Sequence, residues 1–310
     1  EKYSKNGLAP YLLPGYCKDF KSFEKAIEAN EKPLGYYATA YSLVFEDGYL
    51  KEYHRLYSEE DIKKALKQRE KVRFAYVKLM DEEHWFEDQT YVDTMNPEAI
   101  GAFIQVTHEK YYRKVGSEFG KTIPAIFTDE PRLGKHKQIT FALSDEDVTM
   151  PYTEYFAEQM QERYGLDPLD IAPEYIWELA EGKKSVNRYR YRNLASECFV
   201  RAFMDQIGIW CDEHGIAMTG HVLSEESLSS QAFAVGDCMR CYRNMHLPGI
   251  DILADRKEFA TVKQAVSVSK QNGREGTVSE LYGVTHWDCD FKTYKLQGDW
   301  QAALGITIRV

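Results

Sequence analysis

From Val72 onward the chain repeats one pattern: a short apolar run, a polar loop carrying acids and aromatics, then a helix with apolar residues at 3.6 spacing. Strands separated by helices pair in parallel through helical crossovers, so this rhythm confines the fold to the α/β class. The runs fall near 73, 123, 216, 250, 277 and 306, with 34–40 and the region of Tyr11 as weaker earlier candidates. A (β/α)8 TIM-type barrel, complete or incomplete over this length, fits best; such a barrel typically takes about 250 residues and the chain has 310. The runner-up is a doubly wound sheet, but no GxGxxG or GxxxxGK[ST] follows any run, so its nucleotide fingerprints are absent. The expectation is a single barrel over 1–310, with a β-hairpin inserted at about 36–56 around Asp47-Gly48.

The helix that follows 72–79 carries the clearest signals. Asn96 is placed to cap it, Pro97 takes its first position and Glu98 suits the positive end of its dipole. Ile100, Phe103, Ile104, Thr107, Tyr111 and Val115 form its apolar face. Further helices are expected at 152–164, stopped by Gly165, at about 184–213, at 258–272 and at 291–303, with a solvated helix at 58–69.

With 44% hydrophobic residues the chain can bury a large core, and its net charge of −10 argues against nucleic acid as a partner, because phosphate surfaces need clustered Lys and Arg. No apolar run approaches the ~20 residues of a membrane span, and no leader is visible at the start, which leaves cytoplasmic and secreted or periplasmic locations both open. The chain begins at Glu1 and ends at Val310 in a strand-like run, as expected of a piece of a longer protein with accessory domains. Six cysteines are too few for a disulfide scaffold, and Cys238-Met239-Arg240-Cys241 is a lone CxxC that reads as incidental thiols.

Barrel active sites lie at the C-terminal ends of the strands, so the residues just after each run are the candidates. Two acidic motifs stand there: Thr128-Asp129-Glu130-Pro131 and Ser279-Glu280-Leu281-Tyr282-Gly283. Glycoside cleavage needs one carboxylic acid to protonate the leaving oxygen and a second carboxylate as nucleophile or base. Glu130 and Glu280 meet that need by position, and Glu226 is a third candidate, although it can equally be an acid at a helix start. Asp129 and Glu225 taken singly are more ordinary as caps or ion-pair partners, and His221 either binds a substrate hydroxyl or is a satisfied core histidine. Asp93, His221, Asp129 and Tyr282, with the loop aromatics Trp85, Tyr91 and Trp287, are the candidate carbohydrate contacts; among 22 tyrosines, each ring is also a candidate for plain packing.

The order of these pieces, 91–99, then 119–124 running into Phe127-Thr128-Asp129-Glu130-Pro131, then Gly220-His221, Ser279-Glu280-Leu281-Tyr282-Gly283 and Asp299-Trp300-Gln301, resembles the barrel of glycoside hydrolase family 106, the α-L-rhamnosidases. The resemblance covers about two thirds of the chain. It implies a multidomain parent, a catalytic (β/α)8 barrel, an inverting mechanism, Glu130 as general acid, Glu280 or Glu226 as base, and a calcium ion near the sugar, for which no ligand set maps onto these residues. The same motifs occur more loosely in retaining β-galactosidase-like barrels, where the two glutamates are acid/base and nucleophile. The sequence therefore points to a glycoside hydrolase acting on a terminal sugar, a rhamnose-like deoxyhexose first. A retaining galactosidase-like enzyme and a non-catalytic carbohydrate-binding barrel are the alternatives. An aldolase or isomerase would need a Schiff-base lysine or metal ligands at the strand ends, and no well-placed set is present.

Overall fold

The structure, a computed structural model, describes residues 10–16, 35–80, 82–144 and 146–310; for 10–16, 35, 36, 79 and 85 it describes the backbone alone. Within 1–310 the chain forms two compact units, Glu1–Ala99 with Gly134–Ala195, and Ile100–Leu133 with Ser196–Val310.

In the first unit, β1 (Pro10–Tyr16), β2 (Gly35–Glu46), β3 (Tyr49–Leu56), β4 (Lys71–Leu79) and, after β5 (Ala125–Thr128) of the other unit, β6 (Met150–Pro151) form an antiparallel sheet in the order β3-β2-β4-β1-β6. The run 72–79, expected to open the parallel series, is β4 and lies antiparallel between β1 and β2. Its residues from Val72 to Val77 are all buried, and a strand covered on both faces reads as a continuous apolar run whichever way its neighbours point. The hairpin at 36–56 is present, but as β2 and β3 of this sheet, not as an insertion on a barrel. Asp47 and Gly48 take φ of 50° and 82°, the positive values a two-residue hairpin turn requires.

The helix Glu59–Lys67 lays Ile62 and Ala65 against Ala40, Leu56, Val72, Phe74 and Tyr76. Ser58 and Asp61 form its capping box, so the expected solvated helix has one buried stripe. The second stretch of chain closes this unit: Arg73 donates to the carbonyls of Ser144 and Glu146 and lies over the Trp177 ring, 5.7 Å from its centroid. Arg55 pairs with Asp167 and Asp170, both at 2.6 Å.

In the second unit, β5, β7 (Ala217–Gly220), β8 (Leu247–Asp251), β9 (Val278–Glu280) and β10 (Ile308–Arg309) form a parallel sheet in the order β10-β9-β8-β7-β5. The expected runs near 123, 216, 250, 277 and 306 all lie here. Helices Leu228–Ala234 and Cys238–Tyr242 join β7 to β8, Phe259–Gln271 joins β8 to β9 and Phe291–Leu304 joins β9 to β10. This is the alternation the sequence predicts. Among the described residues the sheet ends at β5 and β10 and does not close.

The long helix expected at 184–213 is Val186–Phe199, a π-helical stretch Val200–Asp205 and Gln206–His214, ended by Gly215 at φ 67°. Among the described residues no helix is long and apolar enough to cross a membrane.

Candidate active site

The strand ends of the second unit are brought level by register: Thr128 stands beside Gly220, Gly220 beside Pro248, and Asp251 beside Glu280. Gly220 makes this possible at its φ of 125°, since a Cβ there would lie 2.0 Å from the Thr128 carbonyl oxygen. That same oxygen accepts the backbone N–H of His221 at 3.2 Å. Residues paired across parallel strands point to the same face, so Asp251 and Glu280 project together.

Asp129 and Glu130 leave β5, His221 leaves β7, Asp251 ends β8 and Glu280 ends β9. The His221 side chain is only 2% exposed, and its Nε2 lies 2.9 Å from Glu280 Oε2 and 3.3 Å from Asp129 Oδ1. Its Nδ1 is buried and has no partner among the described residues, which places the N–H on Nε2, where Glu280 accepts it. Two carboxylates whose oxygens come within 4.8 Å of each other are thereby held by one imidazole. The Phe127 ring meets His221 edge-on at 5.6 Å. Asp129 and Glu280 form the open rim, with side chains 75% and 44% exposed.

Glu130 adopts φ 44° immediately before Pro131, a left-handed conformation that costs a non-glycine residue about 1–3 kcal/mol and collects at functional sites. Partial burial pushes its carboxyl up, His221 opposes that, and the charges of Asp129 and Glu280 add to it. Glu130 therefore keeps its proton more readily than an ordinary glutamate. Asp251 is pushed up to about 6 by burial, opposed by His221 and reinforced by Glu280, Glu130 and Asp129. The same three neighbours, His221, Asp129 and Glu280, act on both carboxyls.

Of the sequence-predicted residues, Asp129, Glu130, His221 and Glu280 are thus brought together. Glu226 is exposed in the turn before Ser227, which caps the helix Leu228–Ala234 with its own side chain. Glu225, its neighbour, is buried and accepts from the Tyr242 hydroxyl at 3.0 Å, and burial holds its carboxyl well above the usual range. Tyr282 packs on Tyr294, with ring centroids 4.6 Å apart, and Trp287 is fully exposed.

Asp93, Tyr91 and Trp85 belong to the first unit. Asp93 is buried and accepts the Met95 N–H at 3.1 Å. Tyr91 packs against Phe86 with the rings tilted and their centroids 5.1 Å apart, and both lie against Met80. Trp85 lies in the short turn His84–Phe86.

The acid that sequence reasoning missed is Asp251. It sits inside the run Gly249-Ile250-Asp251-Ile252-Leu253, where the apolar residues after it hide the strand end; the signal was an acid at an alternate position of a buried run. Cys238 and Cys241 are free and buried, and burial pushes both thiols far up, a setting for packing rather than reactivity.

Asp129, His221 and Glu280 are the described residues that bring three metal-ligating atoms together. They do not fit calcium, which takes six to eight oxygen ligands; here an imidazole nitrogen stands between the two carboxylates at hydrogen-bond distance.

No protein-family model and no curated protein matches the chain. Among solved structures, a rhamnosidase from Novosphingobium sp. PP1Y is similar in fold over 77% of this chain, with a TM-score of 0.56 and 17% identity. The chain spans 22% of the length of that structure.

Proposed function

We propose that the chain is the catalytic part of a glycoside hydrolase that removes a terminal sugar, a rhamnose-like deoxyhexose, using Glu130 as general acid and Glu280 as the paired carboxylate. The observation that carries this reading is the strand-end cluster itself: Glu130, whose carboxyl is raised by burial and by the charges of Asp129 and Glu280, and Glu280, which His221 orients. Glycoside hydrolysis asks for that division, one carboxyl that holds a proton for the leaving oxygen and one that meets the sugar carbon or its water. The fold-level likeness to a rhamnosidase supports the same reading, and so does the family 106 resemblance of the motifs that carry Glu130 and Glu280. On this proposal β5 and β7–β10 are successive strands of a (β/α)8 barrel, with the site at their C-terminal ends.

In the proposed reaction Glu130 gives its proton to the glycosidic oxygen as the bond to the anomeric carbon breaks, and the positive charge developing on the sugar is met by Glu280. The family resemblance favours inversion, in which Glu280 takes a proton from the attacking water. Glu226 faces solvent at a helix start, which favours Glu280 for this role. His221 fixes the Glu280 carboxylate, and Asp129 completes the rim.

The test is release of nitrophenol from p-nitrophenyl α-L-rhamnopyranoside, run beside a panel of α- and β-hexosides, with Glu130→Gln and Glu280→Gln as comparisons. The expected result is turnover by the wild type and a loss of about 10²- to 10⁴-fold in Glu280→Gln. No turnover of any glycoside, or an undiminished Glu280→Gln, would sink the proposal.

A further inference from the structure

The loop that leaves β9 after Glu280 is tied down by hydrogen bonds, yet it shows apolar side chains to solvent. Its start is held from both sides: the Leu281 N–H donates to the Val310 carbonyl at 3.0 Å, and the Gly283 carbonyl accepts the Ala254 N–H, from the loop after β8, at 2.8 Å. Farther on, the Thr285 hydroxyl donates to the Tyr282 carbonyl at 3.0 Å, and the Cys289 N–H to the His286 carbonyl at 3.0 Å. Asp290 then caps the helix Phe291–Leu304 by accepting the Thr293 N–H at 2.8 Å. Along this stretch Val284 is 69% exposed, Phe291 89% and Trp287 completely. Single exposed apolar residues are ordinary, but several on one ordered loop mark a binding surface.

The position of the loop points to its ligand. In a parallel βα unit the helix starts at the edge of the sheet where the strand ends, so both ends of this loop lie on the face that carries Glu280 and His221. Trp287 follows Glu280 by seven residues, a span of at most about 25 Å, within reach of a glycan chain held at the cleavage point. The rings alternate with His286, Asp288 and Lys292, all exposed. A sugar uses that combination: its C–H face packs on an aromatic ring while its hydroxyls donate to and accept from polar side chains.

We infer that Trp287 and Phe291 form a platform for sugar residues beyond the one cleaved, so that the substrate is an oligosaccharide chain; this rests on the glycosidase reading above. The experiment compares wild type, Trp287→Ala, Phe291→Ala and Trp287→Tyr on a rhamnosyl disaccharide and on a rhamnosyl-terminated tetrasaccharide of the same linkage. Wild type should show the higher kcat/KM on the tetrasaccharide. Each alanine variant is expected to lose about 3- to 10-fold more on the tetrasaccharide than on the disaccharide, mainly through KM, because the lost contact lies away from the reacting bond. Trp287→Tyr, which keeps a ring, should recover most of that difference. Both side chains stand in solvent, so the variants should fold, and thermal melting checks that they do.

A wild type that cleaves both substrates, with equal losses on the two in the alanine variants, overturns the platform alone. Cleavage of neither overturns the glycosidase reading and this inference with it. Concentration-dependent dimerisation of the wild type that Trp287→Ala abolishes would assign the patch to a protein contact, and would overturn the platform as well.

Discussion

Asp93 and Asp251 are both pushed up to about 6, but they stand in different circumstances. Asp93 is 3% exposed; its burial outweighs the help of the Thr153 side chain and the Met95 N–H. The folded chain holds this proton more tightly than the unfolded chain does, so ionisation costs stability. The contribution is complete below the unfolded value of 3.8 and is lost as pH rises through about 6. The loss amounts to about 3 kcal/mol for Asp93, and Asp251, half-exposed, adds a smaller slope of the same sign. Asp93→Asn keeps an acceptor for Met95 and removes the titration. Urea unfolding at pH 4 and pH 7.5 should show the wild type losing stability between the two and the variant losing clearly less; equal losses would mean that Asp93 ionises without penalty. At this scale Glu130, His221 and Glu280 were legible because each follows an apolar run, whereas Asp251 was not, because Ile252 and Leu253 disguise where its strand ends.

Among the elements, the close approach of β5, β7 and β8 depends on glycines without side chains to separate them. Gly220→Ala would put a methyl group 2.0 Å from the Thr128 carbonyl at a φ of 125°, so a loss of more than about 4 kcal/mol, or failure to fold, is expected. Gly165 has φ 66° and open space around its Cβ position, so Gly165→Ala should cost only about 1–2 kcal/mol. Chemical denaturation of the two variants separates steric closure of the sheet from simple backbone strain; equal losses would remove the special role of Gly220. The parallel strands and their helices could be read from the sequence because apolar run, loop and amphipathic helix recur in order. The antiparallel sheet could not, since β4 owes its neighbours to β1 and β2, and strand direction leaves no mark on a run buried on both faces.

At the scale of the whole molecule, each unit is assembled from two separated stretches of chain. Residues 1–99 alone would lack β6, the Ser144 and Glu146 carbonyls that hold the buried Arg73, and the Asp167 and Asp170 partners of Arg55. A buried guanidinium without acceptors is destabilising by several kcal/mol, about 3–5. A fragment of residues 1–99 should therefore show no cooperative melt by circular dichroism, and a sharp transition would contradict the division. The sequence rhythm could not reveal this interleaving, because the polar excursion after Pro131 looks the same whether it is a long loop or the second half of another unit.

The central claim, that Glu130 donates a proton to a glycosidic oxygen while Glu280 acts at the sugar, is tested most directly by leaving-group dependence. Glu130→Gln and Glu280→Gln are compared with wild type on 2,4-dinitrophenyl α-L-rhamnopyranoside, whose leaving group needs no acid, and on a rhamnosyl disaccharide, whose leaving group does. The account predicts that Glu130→Gln keeps activity within about tenfold on the dinitrophenyl glycoside and loses about 10²- to 10⁴-fold on the disaccharide, while Glu280→Gln loses heavily on both. Equal losses by Glu130→Gln on the two substrates would contradict it.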